Sequence, residues 1–137
     1  MLEFIAARRS ASFLQTPAWA RVKSEWRGER IGFYDGDELT GVGLILYRKL
    51  PKLPRYLAYL PEGPVLDWSR DDIDEHFDAL VAHVKKRQAF AVRVGPAVVH
   101  RMWGTKTIKT AIADDNVTSL TEVAPDAITP EGERVVS

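Results

Sequence analysis

A chain of 137 residues and 15.4 kDa fits one domain on the rough scale of about 100–200 residues each, which excludes two complete catalytic domains. Apolar residues at 45% and charged residues at 28% match soluble globular proteins and exclude disorder throughout or a low-complexity chain. Nineteen basic residues cancel nineteen acidic ones and cysteine is absent; bulk electrostatic capture of nucleic acid or anionic membrane is therefore excluded, as are disulfides, thiolate nucleophiles and cysteine-ligated zinc.

Near the start, Arg8-Arg9 before Phe13-Leu14 has the outline of a twin-arginine export signal, but Arg21 and Lys23 arrive before an apolar stretch of about 7–15 residues can form. No run approaches the roughly 20 apolar residues of a membrane-spanning helix, so no integral membrane segment is expected; the longest candidate is Val42 to Tyr47. Thr16-Pro17 starts a helix, with a hydroxyl to cap free N–H groups and a proline suited to the first turn. Trp19, Val22 and Trp26 give it one apolar face, and Gly28 ends it. Arg30 to Tyr34 and Leu39 to Leu50 read as strands of a hairpin closed by Asp35-Gly36-Asp37. Two prolines in Pro51-Lys52-Leu53-Pro54 then break the sheet. Tyr56 to Leu60 is a further strand, closed by Pro61-Glu62-Gly63-Pro64, where glycine permits backbone angles other residues avoid.

Ser69 and Asp72 approximate a capping box before Ile73, Phe77, Leu80, Val81 and Val84, the apolar stripe of a helix. Acidic residues crowd its first turns and Lys85, Lys86 and Arg87 its last, which suits the helix dipole. Ala89 to Val94 reads as a short, mostly apolar strand whose pattern suits a buried position, with parallel pairing one option after a crossover helix, and Gly95-Pro96 stops it. Gly104 to Asn116 carries few large apolar residues and predicts no element; Val117, Ser119, Thr121 and Val123 alternate as a strand would. Thr129-Pro130 starts another helix with seven residues left after Pro130, about two turns.

Few constellations carry chemistry. Glu38-Leu39-Thr40-Gly41-Val42-Gly43 approaches the glycine loop with which acetyl-coenzyme A acetyltransferases hold pyrophosphate, but Glu38 has the wrong charge and the glycines run into a strand, so close packing explains them better. His76 and His83 lie two helical turns apart, about 10 Å, too far for one metal ion; Asp72, four residues before His76, makes a surface ion pair with it when the imidazole is protonated. No local partner makes His100 a base, and no G-x-S-x-G elbow anchors a hydrolase triad. Arg48, Lys49, Lys52 and Arg55, flanked by Tyr47 and Tyr56, form a compact acid-free basic stretch, either a polyanion contact or a solvated strand end and loop. Lys23, one residue past the tryptophan stripe, can pack its stem while its ammonium reaches the edge of whatever that helix lines.

The succession Phe13-Leu14-Gln15-Thr16-Pro17-Ala18-Trp19 to Val22-Lys23, a hairpin, Tyr59-Leu60-Pro61-Glu62-Gly63-Pro64-Val65-Leu66-Asp67, the long helix and Val92-Arg93-Val94-Gly95-Pro96 resembles the N-terminal part of the FemABX family. The resemblance implies an α+β, GNAT-like half: a mixed β-sheet flanked by helices, spanning residues 1–124, with 125–137 as a tail that begins a helix cut short. It implies an aminoacyltransferase that takes an amino acid from aminoacyl-tRNA, with no bound cofactor, and joins it to the stem peptide of a UDP-linked or lipid-linked muropeptide. Lys23 would contact the substrate's diphosphate. The catalytic residues stay unassigned, and no metal is implied. Cytoplasmic placement would follow from the tRNA donor. The missing C-terminal GNAT-like half would be the chain's partner, leaving this piece incomplete and inactive alone. Where family members often carry Asp-Pro, this chain has Gly95-Pro96, so a carboxylate is missing there. Two other readings stay open: a non-catalytic interaction module whose sheet pairs with a partner, and a small acetyl-coenzyme A-dependent N-acetyltransferase.

Overall fold

The computed structural model describes residues 1–8 and 11–136, so Arg9 of the arginine pair lies outside the described residues. Backbone contacts gather the chain into two compact units, Met1–Ala97 and Val98–Ser137.

The first unit is built on one long hairpin. β1 (Arg27–Asp35) and β2 (Glu38–Lys49) pair antiparallel from Arg27↔Tyr47 to Asp35↔Glu38, and Gly36 turns the corner at φ +58°, in the left-handed region that favours glycine. β2 continues antiparallel to β3 (Tyr56–Leu60), and β3 runs parallel to β5 (Ala89–Val94). β4 (Val65–Leu66) lies beside Gly41 and Val42 of β2, which gives a mixed sheet in the order β1-β2-β3-β5. The expected α+β, GNAT-like mixed sheet is present. The parallel β3–β5 pair needs a crossover, and α3 (Ile73–Lys86) supplies it. β2 is buried on both faces: Val42, Leu44, Ile45, Leu46 and Tyr47 are each at most 2% exposed. Such a strand reads as an unbroken apolar run rather than an alternating one.

Several elements depart from the sequence expectation. The first helix is shorter than its apolar stripe: α2 covers Pro17–Val22, Lys23 closes it, and Trp26 sits in the following turn, where its N–H donates to the Lys23 carbonyl. Val22 is exposed and Ala20 instead packs on the sheet, against Gly28 of β1. Gly28 therefore belongs to a strand, not to a helix end. α3 has Asp72 at its N-cap with no side-chain cap bond, because Arg70 takes both oxygens of that carboxylate at 2.7 and 2.6 Å and Ser69 bonds Asp67 instead. A short helix, α1 (Leu2–Ala6), precedes all of this.

In the second unit β6 (Arg101–Met102) pairs antiparallel with β7 (Ala127–Ile128). α4 (Thr105–Ile112) occupies the stretch that predicted no element. Residues Val117–Val123 are not a strand; Leu120–Glu122 form a 3-10 turn whose start Ser119 caps. The Thr129-Pro130 start does open a helix, α5 (Pro130–Val136), with the Thr129 hydroxyl accepting the Gly132 N–H. No helix among the described residues is long and apolar enough to cross a membrane.

Candidate functional site

Gln15 is fully buried and sits in the 3-10 turn before α2. Its Nε2 donates to the Pro61 carbonyl at 2.6 Å and its Oε1 accepts the Leu44 N–H at 2.9 Å. A buried amide must be satisfied in this way. The bonds tie the α2 segment to the centre of β2 and to the turn after β3. In that turn Gly63 is required by space: any Cβ there would strike the Gln15 amide. Its backbone angle is ordinary, and the left-handed residue is its neighbour Glu62 at φ 47°. Asp67 ends the same stretch, its carboxylate accepting the Ser69 hydroxyl at 2.6 Å and the Ser69 N–H at 3.1 Å; the hydroxyl bond, against some burial, holds its pKa below the usual carboxylate range.

Gln15, Gly63 and Asp67 thus spend their polar groups or their space on the fold. Lys23 does not. At the end of α2 its ammonium lies 5.4 Å from the Trp19 ring centroid, a cation–π distance, and among the described residues it forms no ion pair. Trp19 is in turn braced edge-on by Phe13 at 5.7 Å. The helix therefore presents a positive charge on an aromatic support, with no ion-pair partner among the described residues.

The residues of the basic stretch do not share one face. Arg48 lies over the Trp26 ring at 5.6 Å, whereas Lys49, the next strand residue, turns to the opposite face. Lys52 and Arg55 are exposed in the loop after β2, where Lys52 takes φ 67° and the Arg55 carbonyl accepts the Leu50 N–H. Arg48 has other company that spacing did not reveal. Trp26 packs on Tyr59 with centroids 6.2 Å apart, and Arg93 lies over Tyr59 at 5.7 Å. The order Arg48, Trp26, Tyr59, Arg93 is a ladder of two guanidiniums and two rings beside Lys23's turn. It follows from the β3–β5 register, Tyr59↔Arg93, which no local sequence signal announces.

On α3, His76 is buried rather than at the surface, and its expected partner Asp72 stands within ion-pair distance of it. Its Nδ1 lies 3.0 Å from the Asp72 carbonyl and its Nε2 3.0 Å from the Thr40 hydroxyl, while the Asp72 carboxylate stands 3.9 Å away and is held by Arg70. A helix N-cap carbonyl and a strand hydroxyl are what the core-facing side of α3 offers it. His83 lies 3.1 Å from Glu29, which also accepts from Tyr47 at 2.7 Å and from Arg87 at 3.1 and 2.8 Å. Burial pushes the Glu29 carboxyl up, but the bonds from Arg87, Tyr47 and His83 outweigh it and bring the pKa down to about 2. Burial and the Glu29 bond both push the Tyr47 phenol well above its usual value. In the second unit His100 meets Glu133 at 2.7 Å.

Glu38 to Gly43 lies within β2. Cβ atoms at Gly41 and Gly43 would meet the Leu66 side chain and the Ile31 side chain, so both glycines serve strand packing and form no phosphate loop at a helix start. Gly95 differs, since a Cβ there would meet open space; packing alone does not keep a carboxylate from that corner.

The chain is similar to several known proteins. The chain is 33% identical over 98 residues to lipid II:glycine glycyltransferase of Staphylococcus saprophyticus, covering 69% of this chain and 24% of that protein. It is 31% identical over 98 residues to the protein of the same name in Staphylococcus haemolyticus, covering 69% and 23%. A crystal structure of FemX superposes with a TM-score of 0.64 at 29% identity, over 81% of this chain and 28% of that one. The chain spans about a quarter of the length of the curated relatives it matches. The FemAB family model matches residues 2–124, and the chain belongs to the FemAB family.

Proposed function

We propose that the chain is the N-terminal part of an aminoacyltransferase of peptidoglycan interpeptide-bridge formation, and that it binds the muropeptide acceptor. The observation that supports this most is that the FemAB match covers residues 2–124, and so takes in Lys23, whose ammonium stands on Trp19 without an anionic partner among the described residues. The relatives named lipid II:glycine glycyltransferase favour a lipid-linked acceptor over a UDP-linked one, and glycine as the amino acid. Both acceptors carry a diphosphate, and a compact, strongly hydrated ammonium suits that group.

The donor in this reading is aminoacyl-tRNA, which places the reaction in the cytoplasm. The acceptor amine attacks the ester carbonyl, a C–N bond forms, the C–O bond to the tRNA ribose breaks, and the amine proton passes to the leaving oxygen. That chemistry needs a base and an oxyanion donor. Lys23 supplies neither and acts only in binding. Arg48 and Arg93, beside the same turn, would extend the positive surface along the acceptor.

Titration of the 137-residue chain with a short-chain lipid II analogue and with UDP-MurNAc-pentapeptide tests the reading. Binding is expected to weaken about tenfold or more for Lys23→Ala, as for a charged hydrogen bond lost, and to recover largely with Lys23→Arg. Unchanged affinity in Lys23→Ala overturns the role of Lys23; no binding of either muropeptide by the parent chain overturns acceptor binding by this half.

A further inference from the structure

β1 is one edge of the sheet: β2 holds its inner side, and among the described residues no strand pairs with its outer side. Nine residues of open ladder are a template for another strand. The extra residue where β1 and β2 shift register, Thr40, belongs to β2, so β1 keeps a regular alternation along its free side. Space flanks that side. A cavity of about 410 Å³ lies between Glu29–Phe33 and α3 at Ala79, Leu80 and His83.

We propose that β1 pairs with β1 of a second copy of this chain, antiparallel and centred on Ile31, joining two sheets across a two-fold axis. A two-fold interface needs a self-complementary surface, and the strand Arg27-Gly28-Glu29-Arg30-Ile31-Gly32-Phe33-Tyr34-Asp35 has one in that register. Arg27 falls opposite Asp35, giving an opposite-charge pair at each end. Arg30 falls opposite Gly32 and Tyr34 opposite Gly28, so each long side chain covers a position that has none; all four are exposed. Ile31 meets Ile31. Arg27 is already steadied over the Tyr47 and Tyr56 rings at 4.9 and 5.3 Å, and Asp35 is 73% exposed, its nearest cation, Arg70, standing 3.9 Å away and bound to Asp72.

Neighbouring registers lose this match. Centred on Arg30, two arginines meet at the axis and Arg27 no longer faces Asp35. Centred on Gly32, Asp35 faces Glu29 and Tyr34 faces Arg30. Registers centred between residues set inward-facing N–H and C=O groups against outward-facing ones and make no ladder. Like charges directly opposite destabilise a strand pair, whereas opposite charges and close cross-strand packing favour it.

Sedimentation equilibrium of the 137-residue chain over a roughly hundredfold concentration range is expected to show monomer and dimer. Arg27→Asp and Asp35→Arg each set like charges opposite one another twice and are expected to weaken the dimer about tenfold or more. Combining them restores opposite charges and is expected to restore the dimer. Amide exchange of the unaltered chain supplies a test that needs no variant: Arg30 and Gly32 are expected to gain protection as concentration rises. A monomer at every concentration, a dimer indifferent to both single changes, or a double variant that stays weak overturns the pairing.

Discussion

The side-chain amide of Gln15 fills the space that a Cβ on Gly63 would need, and bonds Pro61 two residues before it. Each residue thereby fixes the identity of the other. Gly63→Ala is expected to cost about 1–3 kcal/mol, the range of an overpacked core, and Gln15→Ala a similar amount by leaving the Leu44 N–H and Pro61 carbonyl unpaired. The double variant should cost less than the sum, because removing the amide makes room for the methyl. Urea unfolding of the three variants measures the coupling; strict additivity would mean that the two residues do not share this space.

Glu29 gives the fold an acid-sensitive joint between β1 and α3. Its folded pKa, about 2, lies below the ordinary glutamate value of 4.5, so the stability it contributes is present above about pH 4.5 and is lost as pH falls towards 2. The loss is at most about 3 kcal/mol for a shift of that size, reduced by solvent at the exposed Arg87 partner. Glu29→Gln keeps the side chain's shape without a titrating charge, and the stability of that variant should fall less steeply between pH 4.5 and 2. Parallel acid limbs for the two proteins would show that Glu29 is not a source of the slope.

The central fold was legible because its signals are local. Asp35-Gly36-Asp37 announces the hairpin, the apolar run of β2 its burial, and the stripe of α3 its crossover. The signals failed where a partner comes from far along the chain. Trp26 reads as helix by spacing but is drawn out onto Tyr59, and Ser69 reads as a cap but is outcompeted by the bidentate Arg70–Asp72 pair. In the candidate site, Lys23 was visible through its place in a motif. The ladder of Arg48 and Arg93 was not, because strand register cannot be read from residues 45 positions apart.

The ladder separates two readings of the basic stretch. If muropeptide or RNA phosphates meet this side of the sheet, Arg48→Ala and Arg93→Ala should each weaken binding and reduce its salt dependence. Lys49→Ala, Lys52→Ala and Arg55→Ala, which lie off the ladder, should change it little. Titrations at two ionic strengths check this, and equal losses across all five would favour a diffuse positive surface over the stacked pair.

α4 owes its start to a residue that follows it in the chain. Asp126 Oδ2 accepts the Gly104 N–H and its Oδ1 accepts the Thr107 hydroxyl at 2.8 Å, while the preceding Gly104 has no side chain with which to cap. Those bonds, that from Gly104 first, hold the Asp126 carboxyl below its usual pKa. A negative group at a helix start is favoured both by free N–H groups and by the dipole. Asp126→Ala should therefore lower helix content by circular dichroism and speed amide exchange through Thr105–Ile112, with β1–β5 unaffected. Asp126→Asn, which keeps an acceptor oxygen but loses the charge, should fall between the two. An unchanged exchange pattern in Asp126→Ala would show that α4 holds by its own propensity, and that residues 104–116 contain a helix signal which composition alone conceals.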